Sequence, residues 1–357
     1  MKQGSDEIDR RAVLGAGAAM AGVATAAAAS AADRPYRRIA CEEGFLSPAV
    51  LAANAKASTA GLQLITADGP AASLAGPLVD LGERRIAAMD ADGIDMQLLL
   101  LSSPGVQVFD PATAVALAAE ANDYASAACA RHPTRFAALA AFAPQDPAAA
   151  VRELQRAVKL PGIKGALVNS HTGGEYLDDA KSWPIFEALE ALGVPLYIHP
   201  REPPAAVNAI MSGPVVGGPA WAYAVETGTH VLRLIQAGVF DRFPKLKIVV
   251  GHMGEGLPFW LPRIDNRYLW NRRGPASLKK PPSAYIRENI WVTTSGMNYW
   301  PQLEMTLKVL GPDRVLYATD YPFENQGEAV QLVEAMPLRR EQKKALFEGN
   351  AVRLFKL

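Results

Sequence analysis

Apolar and β-branched residues gather in eight short runs, at about 39–42, 96–101, 136–141, 163–168, 196–199, 247–251, 290–294 and 315–319. Runs of this length that stay apolar throughout read as strands buried on both faces. Between them, apolar residues recur at spacings of three and four. That periodicity predicts helices over 78–92, 111–131, 148–158, 182–192 and 301–310. Strand and helix alternating over eight units is the pattern of an α/β protein, a (β/α)8 TIM barrel with a parallel sheet. Two connections are too long for simple strand-to-helix turns, 46–77 after the first strand and 200–218 after the fifth. Both leave the C-terminal rim, where barrels place their functional groups. The second is rich in proline and glycine, which suits an ordered flap or an oligomer contact, and the basic stretch 271–282 reads as a solvated surface loop.

Three of the runs end on a residue that a buried strand does not favour. Arg38-Ile39-Ala40-Cys41 leads to Glu42, Leu196-Tyr197-Ile198 to His199, and Val315-Leu316-Tyr317-Ala318-Thr319 to Asp320. In a parallel barrel these ends converge on one rim, so two carboxylates and an imidazole meet there as a donor set for one divalent metal ion. Taken singly, each has an ordinary structural reading: Glu42 beside Glu43 as a surface charge, His199 as a hydrogen-bonded histidine, Asp320 as a turn cap. Three such coincidences at converging strand ends weigh for the metal. Adjacent strand residues face opposite ways, so only one of Glu42 and Glu43 can enter the lumen, and Glu42 is assigned to it. Without a thiolate, the set suits Mn2+ or Mg2+ at least as well as Zn2+.

Ionised Glu42 and Asp320 cancel the charge of the ion, so an anionic substrate needs further cations. Arg201, two residues beyond His199, is one candidate; Arg84 is another, although it also reads as a solvated helix position. His252 closes the sixth run in Val249-Val250-Gly251-His252-Met253-Gly254-Glu255. It is assigned to proton transfer or substrate contact, with Glu255 orienting its ring. Glu255 equally suits the first turn of a helix, where a carboxylate favours the dipole. His171, after the fourth run, is placed in the pocket wall, whereas His132 and His230 fall in or beside helices and read as structural.

Composition narrows the partners. Lys and Arg together number 36, as do Asp and Glu. That balance leaves no basic or acidic field for nucleic acid or an anionic membrane and points to a small-molecule substrate. Cys41 and Cys129 form no metal-binding spacing and read as buried apolar residues, with pairing between them left open. At the N-terminus, Asp9-Arg10-Arg11 opens an Ala-rich stretch resembling a twin-arginine signal over 1–32, with cleavage near Asp33 and export to the periplasm. A plain Ala-rich tail or an uncleaved anchor is the alternative, and without the signal the protein is cytoplasmic. The stretch is too short and weakly apolar for stable membrane insertion. Residues 33–357, about 325 of them, suit a single barrel domain.

The motifs also resemble a known family. Arg38-Ile39-Ala40-Cys41-Glu42-Glu43-Gly44-Phe45, Ile198-His199-Pro200-Arg201, Gly251-His252-Met253-Gly254-Glu255 and Thr319-Asp320-Tyr321-Pro322-Phe323-Glu324 are similar to the amidohydrolase-related (amidohydrolase 2 type) metal-dependent decarboxylases. That group includes γ-resorcylate and 5-carboxyvanillate decarboxylase, and the resemblance runs in order through the whole chain after the signal. It implies a (β/α)8 barrel with one divalent metal and no organic cofactor, Glu42, His199 and Asp320 as ligands, and His252 as a catalytic residue. Phe323 joins Arg201, His171 and Arg84 as a substrate contact. Many members carry a histidine two residues after the first glutamate. Gly44 stands there in this chain, as in the 5-carboxyvanillate type, and 169–178 points the same way. The implied reaction is nonoxidative decarboxylation of an ortho-hydroxylated benzoate-type acid, with Asp320 and His252 relaying the proton. Hydrolysis of a lactone, ester or amide, with Asp320 as base, is the open alternative. A noncatalytic periplasmic binding barrel is a second, which the retained ligands and His252 argue against. Barrels of this kind are usually dimers or tetramers, so a homo-oligomer is expected.

Overall fold

Eight strands, β1 (Ile39–Phe45), β2 (Met96–Leu101), β3 (Phe136–Ala141), β4 (Ile163–Val168), β5 (Leu196–Ile198), β6 (Ile248–Val250), β7 (Ile290–Thr293) and β8 (Val315–Leu316), form one parallel sheet in chain order in this computed structural model. It describes residues 34–57, 65, 66, 69, 71–270 and 278–357; the expected signal at 1–32 and most of the basic stretch at 271–282 lie outside the described residues. The sheet closes on itself as a (β/α)8 barrel, because the Cys41 N–H donates to the Tyr317 carbonyl (2.9 Å) and the Gly44 N–H to the Tyr321 carbonyl (2.8 Å). Nearly every strand residue is buried, as strands covered on both faces require. Cys41 and Cys129 are both buried and free.

The helices form where local chemistry starts them. α1 (Pro48–Lys56), α2 (Ala72–Val79) and α3 (Glu83–Asp92) follow β1, and α4 (Pro111–Arg131), α5 (Pro147–Ala157) and α6 (Trp183–Leu192) follow β2, β3 and β4. The Asp110 carboxylate accepts from Ala112 N and Thr113 N at the start of α4, and Asp146 accepts from Ala149 N at the start of α5, each beside a proline in the first turn. α3 and α6 end at Gly93 and Gly193, both left-handed. α7 (Ala222–Gln236) follows β5, α8 (Leu257–Trp270) and α9 (Pro282–Asn289) follow β6, and α10 (Trp300–Leu310) follows β7. α11 (Gln326–Glu334) and α12 (Asn350–Phe355) complete the outer ring. Among the described residues, no helix is long and apolar enough to cross a membrane.

Two expectations fail locally. The helix expected over 78–92 is broken between α2 and α3, where the Gly82 N–H turns to the Asp80 carboxylate (2.8 Å) instead of a helical carbonyl. The eighth strand, expected over 315–319, keeps regular pairing only at Val315–Leu316. Beyond it the Tyr317 N–H donates to Leu346 O (3.1 Å), Ala318 N to Thr294 Oγ1 (3.0 Å) and Thr319 N to Glu43 Oε1 (2.9 Å). A carbonyl outside the sheet and then two side-chain acceptors replace the ladder at the very place where Asp320 follows.

Buried Asn122 of α4 ties the helical layer to the sheet: Nδ2 donates to Ala141 O (2.9 Å) and Glu153 Oε1 (2.7 Å), and Oδ1 accepts from Ala141 N (2.7 Å). Asn122→Ala leaves these groups unpaired in the interior and should destabilise the protein by about 2–4 kcal/mol. Urea unfolding checks this; a loss under about 0.5 kcal/mol would contradict the assignment.

Candidate active site

Glu42, His199 and Asp320, 278 positions apart at the extremes of the sequence, offer ligand atoms that all lie within 4.8 Å of one another. Glu42 is completely buried; it lies inside β1, three residues before the strand ends at Phe45, rather than closing it as expected, whereas His199 directly follows β5 and Asp320 stands four residues beyond β8. Thr293, ending β7, donates to Glu42 Oε2 (2.6 Å), and the Tyr197 hydroxyl lies 3.4 Å from Thr293 Oγ1, so it donates to that oxygen in turn. This pins one carboxylate oxygen and frees the other. Glu42 Oε1 accepts no hydrogen bond among the described residues and faces His252 Nε2 at 3.4 Å and His199 Nε2 at 3.8 Å. A wholly buried carboxylate oxygen without a donor, next to a second carboxylate and an imidazole, fits a divalent cation.

Electrostatics follow from the crowding. Burial raises the Asp320 carboxyl to about 8, with His252 opposing. Burial also acts to raise Glu42, but His252, His199 and the Thr293 hydrogen bond together hold it below the usual value. Burial disfavours a charged His252, yet Glu42, Glu255 and Asp320 outweigh it and lift the ring to about 10. His199 goes the other way, lowered by burial to about 4, which keeps it the neutral imidazole a metal ligand must be.

His252 reaches this place through unusual backbone. His252, Met253, Gly254, Glu255 and Gly256 all have positive φ, from 47° to 75°, a left-handed turn closed by Gly254 N donating to Gly251 O (2.7 Å). Each L-residue in that conformation costs roughly 1–2 kcal/mol. The turn directs the ring inward, and its Nδ1–H donates to Ser295 O (2.9 Å), leaving Nε2 toward Glu42. The Ser295 carbonyl, not Glu255 as expected, therefore makes the hydrogen bond that orients the ring. Glu255 is half-buried with its Oε1 atom enclosed and accepting no hydrogen bond among the described residues, is raised to about 8 by desolvation, and acts on His252 through charge.

The expected substrate contacts are placed unequally. Arg201 and His171 line a groove of about 1080 Å³ over the ends of β4 and β5, with Gln107 and Phe109 opposite; none of Glu42, His199 and Asp320 lines it. Arg201 is buried and already engaged, donating to His171 O (3.1 Å) and lying 3.5 Å from Glu202. Both His171 nitrogens are taken: Nε2–H donates to Glu202 O (2.9 Å) and Nδ1 accepts from Gly174 N (3.1 Å). Phe323 is half-exposed at the rim, and a side chain on Gly44 would run into it at 3.2 Å, into Ser102 at 2.7 Å and into Leu78 at 3.1 Å. The space where a fourth ligand would start is therefore filled. Arg84 is exposed on α3 and is not brought to the cluster. Its neighbour Arg85 is the buried cation, donating to Gln97 Oε1 (2.6 Å) and Gly44 O (2.8 Å). His230 is structural, bonded to Ser170 Oγ and Leu177 N. Sequence reasoning gives no role to Thr293, Ser295 or Arg85 and sets Glu43 aside; the polar Thr293-Thr294-Ser295 ending of an apolar run is the one available signal.

Residues 69–357 match the family model described as amidohydrolase. The chain belongs to the amidohydrolase family. This amidohydrolase is 41% identical over 289 residues to the γ-resorcylate decarboxylase of Polaromonas sp., a match covering 78% of this chain and 89% of that protein. The crystal structure of 5-carboxyvanillate decarboxylase from Sphingomonas paucimobilis superposes with a TM-score of 0.86 at 41% identity, over 90% of this chain and 99% of that one. A 5-carboxyvanillate decarboxylase from Novosphingobium aromaticivorans, complexed with manganese and 4-hydroxy-3-methoxy-5-nitrobenzoic acid, gives 0.85 at 39%, over 92% and 98%.

Two predictions follow from this geometry. A methyl group on Gly251 would stand 2.6 Å from Glu42 Oε1 and 3.0 Å from Oε2. Gly251→Ala should therefore displace Glu42 and weaken Mn2+ binding by about 10–100-fold with the fold retained, read by titration calorimetry of metal-free protein. The second concerns Glu226, whose buried carboxyl is raised by burial to about 7. Its folded form holds a proton that the unfolded chain releases near 4.5, so its contribution is full below that pH and is lost as pH rises toward 7. Glu226→Gln should gain relative to wild type by on the order of 3 kcal/mol between pH 4.5 and 7.5 in denaturant unfolding; an unchanged difference would contradict the assignment.

Proposed function

We propose that this amidohydrolase holds one divalent metal ion, Mn2+ above all, through Glu42, His199 and Asp320, and removes CO2 from an aromatic acid bearing a hydroxyl ortho to its carboxylate. The observation that carries the reading is the largely buried three-residue donor cluster with the His252 ring against its free oxygen. Its likeness to decarboxylases over nearly their whole length supports the reaction class. The nitrobenzoic acid in the Novosphingobium structure has a nitro group beside a phenol hydroxyl, the shape of a carboxylate at that position. Held by Glu42, His199 and Asp320, a divalent ion would supply the positive charge that favours an anionic, carboxylate-bearing substrate at the cluster.

The chain's own groups do the rest. His252, oriented by Ser295 O, carries a proton at Nε2 and delivers it to the ring carbon that bears the carboxylate. A C–H bond forms there, the C–C bond to the carboxylate breaks, its electron pair restores the aromatic ring, and CO2 leaves. Asp320, beside His252, is the partner that exchanges the proton with it. Phe323 at the rim offers an apolar face to the ring, and burial around Glu42 excludes water that would otherwise compete for the proton. The Arg10-Arg11 pair ahead of an Ala-rich run supports export to the periplasm as the setting.

The test is CO2 release from 5-carboxyvanillate and 2,6-dihydroxybenzoate, with metal content measured in parallel. Chelation should abolish release and Mn2+ restore it. His252→Asn should lower kcat by about 10²–10⁴-fold while Mn2+ stays bound. Bound Mn2+ with no CO2 from either acid would sink the decarboxylase reading in favour of hydrolysis.

A further inference from the structure

Glu43 is as completely buried as Glu42, yet it takes no part in the donor cluster. Its carboxylate accepts three hydrogen bonds, from Thr319 N (2.9 Å), Thr319 Oγ1 (2.6 Å) and Tyr321 N (3.0 Å). Those donors belong to the residues immediately before and after Asp320. The segment they hold has left the sheet ladder, since β8 ends at Leu316, and Asp320 itself has φ +66°, a conformation an L-residue adopts only when its surroundings enforce it. Backbone seams lie on either side, Cys41 N to Tyr317 O and Gly44 N to Tyr321 O, so between them the carboxylate does the work of a missing strand partner. The Arg85 guanidinium, bonded to the carbonyl of the next residue, Gly44, supplies the compensating positive charge.

We infer that Glu43 is a positioning residue for Asp320: by gripping the chain on both sides, it sets where the Asp320 carboxylate stands relative to Glu42 and His199. The inference rests on the reading of Asp320 as a metal ligand. Hydrogen-bonded outer partners of ligating groups typically change metal affinity or activity by about 10–100-fold when removed. A partner that grips the backbone on both sides of a ligand should fall in that range.

The experiment measures Mn2+ affinity by titration calorimetry of the metal-free full chain for wild type, Glu43→Gln, Asp320→Asn and the double variant, with thermal unfolding followed by circular dichroism. Glu153→Gln, a change at a buried carboxylate far from β1 in sequence, serves as control for general destabilisation. Glu43→Gln should weaken Mn2+ about 10–100-fold with a cooperative transition retained, Glu153→Gln should bind as wild type, and the double variant should bind no more weakly than Asp320→Asn alone. Wild-type affinity in Glu43→Gln, or losses that add in the double variant, would overturn the inference while leaving the metal site standing. Wild-type affinity in Asp320→Asn would instead remove the metal reading on which it depends. Should Glu43→Gln not fold, Thr319→Val, which deletes only the hydroxyl bond, must still lower Mn2+ affinity several-fold, and an unchanged value there overturns the inference.

Discussion

Two carboxylates held together, Glu42 fully buried and Asp320 partly so, dominate this molecule. Glu42 and Asp320 repel, burial penalises both charges, and among the described residues the only cation pressing on both is the His252 imidazole. Such a pair persists only where the scaffold is stiff enough to enforce it and where a positive charge can enter. The closed barrel supplies the stiffness. Its strands are covered on both faces, so the ends of β1, β5 and β8 cannot drift apart without opening the core.

Much of the surrounding detail makes sense as accommodation of that pair. Thr293, itself held by Tyr197, satisfies one oxygen of Glu42 and leaves the other facing the imidazoles. Gly251 has no side chain because the space a methyl would need is already held by Glu42. The left-handed turn that follows brings His252 over the same oxygen, and glycines at 254 and 256 reduce the strain of five consecutive positive φ values. Each device is unfavourable or neutral for folding by itself and intelligible only through the site, where strained backbone commonly gathers.

Stability and chemistry are coupled through protonation. Burial raises Glu43 to about 7, Glu226 to about 7 and Glu255 to about 8, so several interior carboxyls near the C-terminal rim favour their protonated forms. Arg85 and Arg201 are drawn inside beside them, each engaged by carbonyls, and Arg201 also by Glu202. Partly protonated carboxyls and buried guanidiniums thus share the rim, held by hydrogen bonds rather than by full ion pairing.

The barrel was legible in the chain because a strand buried on both faces must be apolar along its length, and a helix packed on it must be apolar on one side; both rules act locally. Glu42, His199 and Asp320 were legible for the same reason, as polar residues that break an apolar run at its end. The residues that support them were not. Glu43 looked like the redundant twin of Glu42, Arg84 like the equal of Arg85, and Glu255 like the natural partner of His252. Which groups engage each of the twin carboxylates, which arginine turns inward and which carbonyl meets the imidazole depend on contacts between positions far apart in sequence: Glu43 with Thr319, Arg85 with Gly44, His252 with Ser295. The chain alone determined the strands, their order and which three polar residues would meet. The closure of β8 onto β1, and with it the hydrogen bonds that orient each donor, was decided only in three dimensions, because a side chain's partner there is set by where the last strand meets the first.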